Sequence, residues 1–198
     1  MSDFTVKING YTLEFYDDRH LYLVNGIIVP SVTQLLRARF CDKYIGISKT
    51  ILQRASEKGT EVHEAIQRYC ETGEKSDLPE VRNFRFLQRQ YKFKVIDNEV
   101  PVILFEDDIP ICAGRLDLVL EMDGKRGLAD IKRTSSLDKE YLAWQLNLYR
   151  MAYKQCYEHE IYFLKGIHLR EDVRKFVDIP INEEFTKSII RNYTEANV

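Results

Sequence analysis

The sequence predicts an α/β chain with a small antiparallel meander at its start, on three observations. Short apolar runs separated by turn dipeptides fill the first thirty residues, and segments of helical period alternate with strands thereafter. A length of 198 residues with 44% hydrophobic content is enough for one sizeable core and short for two. One domain over 1–198 is therefore expected, with a meander over 1–30 and an α/β core over 31–198.

In chain order, Phe4 to Ile8, Tyr11 to Tyr16, Leu21 to Val24 and Ile27 to Val29 read as strands. Asn9-Gly10 and Asn25-Gly26 are hairpin signals between them, and the whole reads as a structural lid. Pro30 breaks the sheet, and Ser31 is a good N-cap for a helix through Val32, Leu35 and Leu36. Arg37 and Arg39 leave the end of that helix, where they suit a phosphate or the macrodipole equally. A longer helix is expected from about Ser48 to Thr72, stopped by Gly73, with His63 beside its apolar stripe of Ala55, Val62, Ile66 and Tyr69. Pro79 opens another helix, Glu80 to Val95, which carries Arg82, Arg85, Arg89, Lys92 and Lys94 among aromatic residues. Arg82, Arg85 and Arg89 recur at spacings of three and four, so they share a face able to track a DNA backbone or simply to meet solvent. Glu99 to Phe105 then reads as a buried strand.

The stretch from Gly114 to Tyr149 organises the rest. An apolar strand around Asp117 turns at Gly124 into a second strand, Gly127 to Lys132, so a hairpin is expected. Strand side chains alternate faces, so Asp130 and Lys132 point one way and Ile131 the other. The pair Asp117 and Asp130 offers hard oxygen ligands of the kind that favour Mg2+ or Mn2+, with the Lys132 ammonium alongside. After the polar loop Arg133 to Ser136, a helix from Leu137 or Asp138 to about Tyr157 puts Gln145 and Tyr149 on one face. Leu142, Leu146, Leu148 and Ala152 predict that this helix also packs on the sheet. Strands Ile161 to Leu169 and Lys175 to Ile179 and a helix capped at Asn182 complete the chain as scaffold.

The order Gly59-Thr-Glu-Val-His63, Gly114-Arg-Leu-Asp117, Asp130-Ile-Lys132 and Gln145-Leu-Asn-Leu-Tyr149 resembles the RecB-like exonuclease branch of the PD-(D/E)XK nuclease superfamily. Four motifs in the expected order span roughly half the chain, although Leu116 stands where the family's name has proline. The resemblance implies a single nuclease domain with a restriction-endonuclease-like core, a central mixed β-sheet flanked by helices. It implies His63, Asp117, Asp130 and the Ile131 carbonyl as ligands of one or two Mg2+ or Mn2+ ions, with Glu99 as a peripheral ligand. Lys132 would orient the attacking water and stabilise the transition state, and Gln145 and Tyr149 would position the Lys132 region or the substrate. The expected activity is DNA hydrolysis by an exonuclease of recombination, repair or phage DNA metabolism. A site-specific or structure-specific endonuclease, or an idle member that only binds DNA or protein, is the alternative.

Composition narrows the partners. A net charge of −2 argues against a passive DNA coat protein, while an acidic metal site contributes negative charge that bound cations offset. Cys41, Cys70, Cys112 and Cys156 show no C-x-x-C spacing, so no zinc knuckle is expected. Some relatives of this branch hold an iron–sulfur cluster through a distant cysteine and a C-terminal group of three; with one cysteine after residue 112, no cluster is expected here. Unpaired thiols without a secretory leader predict a cytoplasmic protein, and no apolar run has the length of a membrane span. No glycine-rich phosphate loop is present, so any helicase or recombination partner is a separate protein. Ring-forming and monomeric relatives share these motifs, so a homo-oligomer is compatible with them.

Overall fold

The computed structural model describes residues 3–37, 39–40 and 48–196. Four strands, β1 (Phe4–Ile8), β2 (Tyr11–Tyr16), β3 (Leu21–Val24) and β4 (Ile27–Val29), form an antiparallel meander in sequence order. Asn9 and Gly10 (φ 48° and 84°) and Asn25 and Gly26 (φ 50° and 77°) make its tight turns, because only residues that tolerate positive φ match the twist of a two-residue hairpin. Ser31 caps α1 (Val32–Arg37), its Oγ accepting from the Gln34 N–H at 3.1 Å, as the sequence predicts. Helix α2 (Lys49–Thr72) ends at Gly73 in the left-handed conformation, also as expected.

Helix α3 (Pro79–Tyr91) stops earlier than its charge and apolar pattern suggests. Lys92 takes φ 54° and Lys94 already belongs to β5 (Lys94–Glu106), so the basic helix expected to reach Val95 loses both lysines. The cause is Phe93, which is buried, stacks on Phe176 (5.1 Å, 11°) and meets Phe84 (5.7 Å); docking that ring turns the chain out of the helix.

Strands β5, β6 (Ile109–Met122), β7 (Lys125–Lys132), β8 (Phe163–Leu169) and β9 (Arg174–Ile179) form a five-stranded mixed sheet in that order. Only β7 and β8 are parallel, and α4 (Lys139–Tyr157) is the crossover between them. Asp138 caps α4 by accepting from the Tyr141 N–H at 2.9 Å. Helix α5 (Glu183–Ala196) follows β9.

Both faces of this sheet are covered. One core joins β5 and β6 to α1, α4, α5 and the meander; the other holds Ile131, Leu118 and Ile167 against Val62 and Ile66 of α2 and Phe84 and Leu87 of α3. Ile131 thus points into the α2 and α3 core, as the alternation with Asp130 and Lys132 requires. The meander is stitched to the main sheet by a bridge between Ser31 and Ala113, with the Ala113 N–H donating to the Pro30 carbonyl at 3.0 Å.

At Gly114, α4 packs tightly on the sheet. A Cβ there would sit 2.9 Å from Cε1 of Tyr149 and 3.3 Å from Cγ2 of Val32. Gly114→Ala should therefore lower stability by about 1–3 kcal/mol through overpacking. Adding Tyr149→Leu should recover part of the loss in thermal melts, and no recovery would mean that the contact is not what requires glycine.

Candidate metal centre

Four elements converge at the middle of the larger sheet. Asp117 lies on β6 and Glu99 on β5, between the paired positions Asn98↔Leu118 and Val100↔Leu116, so the two acids meet across the ladder. Glu99 follows a β-bulge between Val95 and Asp97 and has φ 51°, a conformation rare outside glycine. Asp130 and Lys132 come from β7, and His63 from α2. Ligand atoms of His63, Glu99 and Asp117 all lie within 4.8 Å of one another. Asp130 stands beside this trio, with its Oδ2 2.7 Å from Lys132 Nζ. Glu99, expected only as a peripheral ligand, is a full member of the trio.

The hydrogen bonds orient these groups. The Ile131 N–H donates to Asp117 Oδ2 at 2.7 Å. His63 Nε2 lies 3.1 Å from the Ile131 carbonyl; a carbonyl only accepts, so Nε2 carries a proton. That leaves Nδ1 facing Asp117 Oδ2 at 3.7 Å and Glu99 Oε1 at 3.9 Å. Neutral His63 therefore offers the lone pair of Nδ1 to the space between the carboxylates, the arrangement of a metal-binding imidazole whose other nitrogen is anchored. The second oxygen of Glu99, Oε2, is paired with Arg115 Nε at 2.7 Å.

Burial sets the charges. Asp130 is only 2% exposed, and desolvation pushes its carboxyl up to about 6 against the pull of Lys132. Asp117 is raised too, by burial first, with His63 pulling the other way. Burial alone would lower His63, but Asp117, Glu99 and Asp130 outweigh it and raise the imidazole to about 9. Burial likewise opposes the charge on Lys132, yet Asp130 and Asp117 raise its pKa above the usual lysine value. Although Lys132 Nζ is close, Asp130 Oδ2 has no hydrogen bond of acceptable angle. A buried carboxylate oxygen without an aligned donor, two further desolvated acids and an imidazole whose Nδ1 faces them and can exchange its proton for a metal fit a divalent cation.

The other expected residues fall in two groups. Gln145 and Tyr149 are buried on the face of α4 that packs against the sheet; Gln145 Oε1 has no hydrogen-bond partner, and Tyr149 lies on Gly114. Arg82, Arg85 and Arg89 lie on α3, with the Arg85 guanidinium 5.6 Å from the Tyr69 ring. None of the three lines the cleft beside the trio, which is walled by Thr60, His63, Glu64, Gln67, Arg68 and Glu71 of α2 and by Glu99 and Arg115. Arg115 and Arg68 are thus basic groups of this cleft that the sequence reading overlooked; position two of G-x-x-D was the available signal for Arg115. Arg39 lies over the Trp144 ring at 4.2 Å, which accounts for it without a phosphate. Cys70, Cys112 and Cys156 are free thiols, and Cys41 lies outside the described residues.

No family model matches this chain, and no curated protein matches it. Among solved structures, one described as the crystal structure of SSO0001 is similar at 15% identity and a TM-score of 0.47, over 85% of this chain and 76% of its own. Among the described residues, no helix is long and apolar enough to cross a membrane.

A pH dependence follows for the metal-free protein. His63 is raised from 6.5 to about 9 and Asp130 from 3.8 to about 6, so the folded state binds more protons than the unfolded chain. Their stabilisation is present below the unfolded values and is lost as pH rises, from 3.8 to 6 for Asp130 and from 6.5 to 9 for His63. The melting temperature should fall between pH 6.5 and 9 in the metal-free protein and stay flatter in His63→Gln. Equal slopes in the two proteins would contradict this account of His63.

Proposed function

We propose that this chain is a divalent-metal-dependent deoxyribonuclease with a PD-(D/E)XK core of the RecB-like branch, acting as an exonuclease. The observation that carries the reading is the convergence of His63, Glu99, Asp117 and the Asp130–Lys132 pair from four separate elements on one largely buried cluster. A scaffold has no need to desolvate so many charges in one place, because apolar residues of similar volume are often as stable there.

His63, Glu99 and Asp117 would hold the cation, with Asp130 and the second lone pair of the Ile131 carbonyl as further donors. When bound, Mg2+ or Mn2+, one ion or two, polarises the scissile phosphate and lowers the pKa of a water. Lys132, its pKa raised, stays an ammonium and is no proton acceptor. Its N–H groups orient the attacking water and meet negative charge as it develops on the phosphate. Asp130 holds that ammonium in place at 2.7 Å. Tyr149 is raised well above its usual value, mainly by burial, and stays neutral, so it contributes shape and hydrogen bonding rather than charge.

The direct test is digestion of end-labelled linear DNA and covalently closed DNA with Mg2+ or Mn2+. Cleavage of the linear substrate alone supports an exonuclease, cleavage of both makes the chain an endonuclease, and cleavage of neither removes the nuclease reading. Two substitutions separate chemistry from structure. Lys132→Ala should lower the turnover rate by at least about a hundredfold with little change in substrate affinity, the scale of losing one electrostatic stabiliser. Asp130→Ala should lose both activity and metal affinity. If the pair were only structural, both variants would melt earlier and Lys132→Ala would remain fully active.

The arginines of α3 have their own measurement. Replacing Arg82, Arg85 and Arg89 together by alanine should weaken DNA binding and reduce the log–log salt slope by about one unit per lost phosphate contact. An unchanged slope assigns that face to solvent.

A further inference from the structure

The geometry points to Arg115 as the positioning residue of the metal centre and to the N-terminal meander as the element that holds it, an inference that rests on the metal-binding reading above. Glu99 divides its two oxygens. Oε2 is 2.7 Å from Arg115 Nε, while Oε1 faces His63 Nδ1 at 3.9 Å. The ion pair is only slightly exposed, at 15% for the Arg115 side chain and 12% for that of Glu99. The Glu99 backbone, at φ 51°, is in a region that persists only where the surroundings over-determine it. Arg115 takes Oε2 at the shorter distance and leaves Oε1, the oxygen that faces His63, for the metal.

Arg115 is held in turn from the meander. Its guanidinium carbon lies 5.8 Å from the Phe4 ring centre and 6.0 Å from that of Phe15. These rings belong to a row across three strands, since Phe4 pairs with Phe15 and Phe15 with Tyr22 in the register, with ring centres 5.5 and 4.6 Å apart. The row ends against a planar guanidinium, which can meet ring faces and hold a carboxylate at once; an ammonium on a flexible stem does this poorly. The meander is thereby part of the metal site's support, in addition to its share of the core.

The test is Mn2+ affinity by titration calorimetry, which needs no turnover, with a metal-free thermal melt to confirm folding. Arg115→Gln should weaken Mn2+ binding about 10- to 100-fold, as when the hydrogen-bonded support of a ligand is removed. Simple loss of a positive charge near a cation site would instead tighten binding, so unchanged or tighter binding overturns the inference. Glu99→Gln should weaken binding by itself, and adding Arg115→Gln to it should weaken it no further; additive losses would make Arg115 merely structural and overturn the inference too. Phe4→Leu, which keeps apolar volume but removes the ring face, should weaken binding about two- to fivefold and have no effect in the Arg115→Gln background. Equal effects of Phe4→Leu in both backgrounds overturn the role of the meander. If the unaltered protein binds no Mn2+, the metal-binding reading fails and this inference falls with it; if it binds and the variants match it, only this inference falls.

Discussion

Keeping three carboxylates, Glu99, Asp117 and Asp130, together on neighbouring strands and mostly out of water is the constraint on which the rest of the structure depends. Like charges at such spacing repel, and removing each from solvent costs several kcal/mol unless a partner meets it in good geometry. Each acid has a close partner, although that of Asp130 is poorly aligned: Arg115 on Glu99 at 2.7 Å, Lys132 on Asp130 at 2.7 Å, and the Ile131 N–H on Asp117 at 2.7 Å. His63 lies between two of them. The contacts between strands do not survive a slip of register, because a shift of one residue turns every side chain to the other face.

The architecture meets that requirement by covering the sheet on both sides. Helix α2 presses His63 onto the Ile131 carbonyl, and α4 brings Tyr149 against Gly114 at the start of the strand segment that carries Asp117. The chain leaving Lys132 is pinned as well. Arg133 pairs with the buried Glu80 of α3 at 2.7 Å, and His168, next to Lys132 across β7 and β8, bonds the Thr134 carbonyl at 2.7 Å. Lys132 therefore sits between an acid on its own strand and an anchored loop, which restricts its ammonium to a small volume and suits an electrostatic role.

Local chemistry was legible and long-range placement less so. Asn9-Gly10, Asn25-Gly26, Ser31 and Asp138 specify turns and caps by their own conformational and hydrogen-bonding preferences, and the elements they bound follow the sequence reading closely. The alternation around Ile131 was legible for the same reason. The basic pattern of α3 continues past Tyr91 and overstates the helix, whereas the chain leaves it to bury Phe93 against Phe176, a contact over eighty residues away in sequence. The place of Glu99 in the trio depends on a bulge and a positive φ that no periodicity reveals. The contacts of Arg115 are not legible in the sequence, because its partners, Glu99, Phe4 and Phe15, come from three other strands.

On the proposed reading, these desolvated groups form one cation site. The most direct measurement is an anomalous-scattering map from crystals soaked in Mn2+. The account predicts a single strong peak, or a close pair, with His63 Nδ1 and oxygens of Glu99 and Asp117 at about 2.0–2.3 Å. A map with no peak among those three side chains, or with Mn2+ bound only elsewhere on the surface, would contradict it.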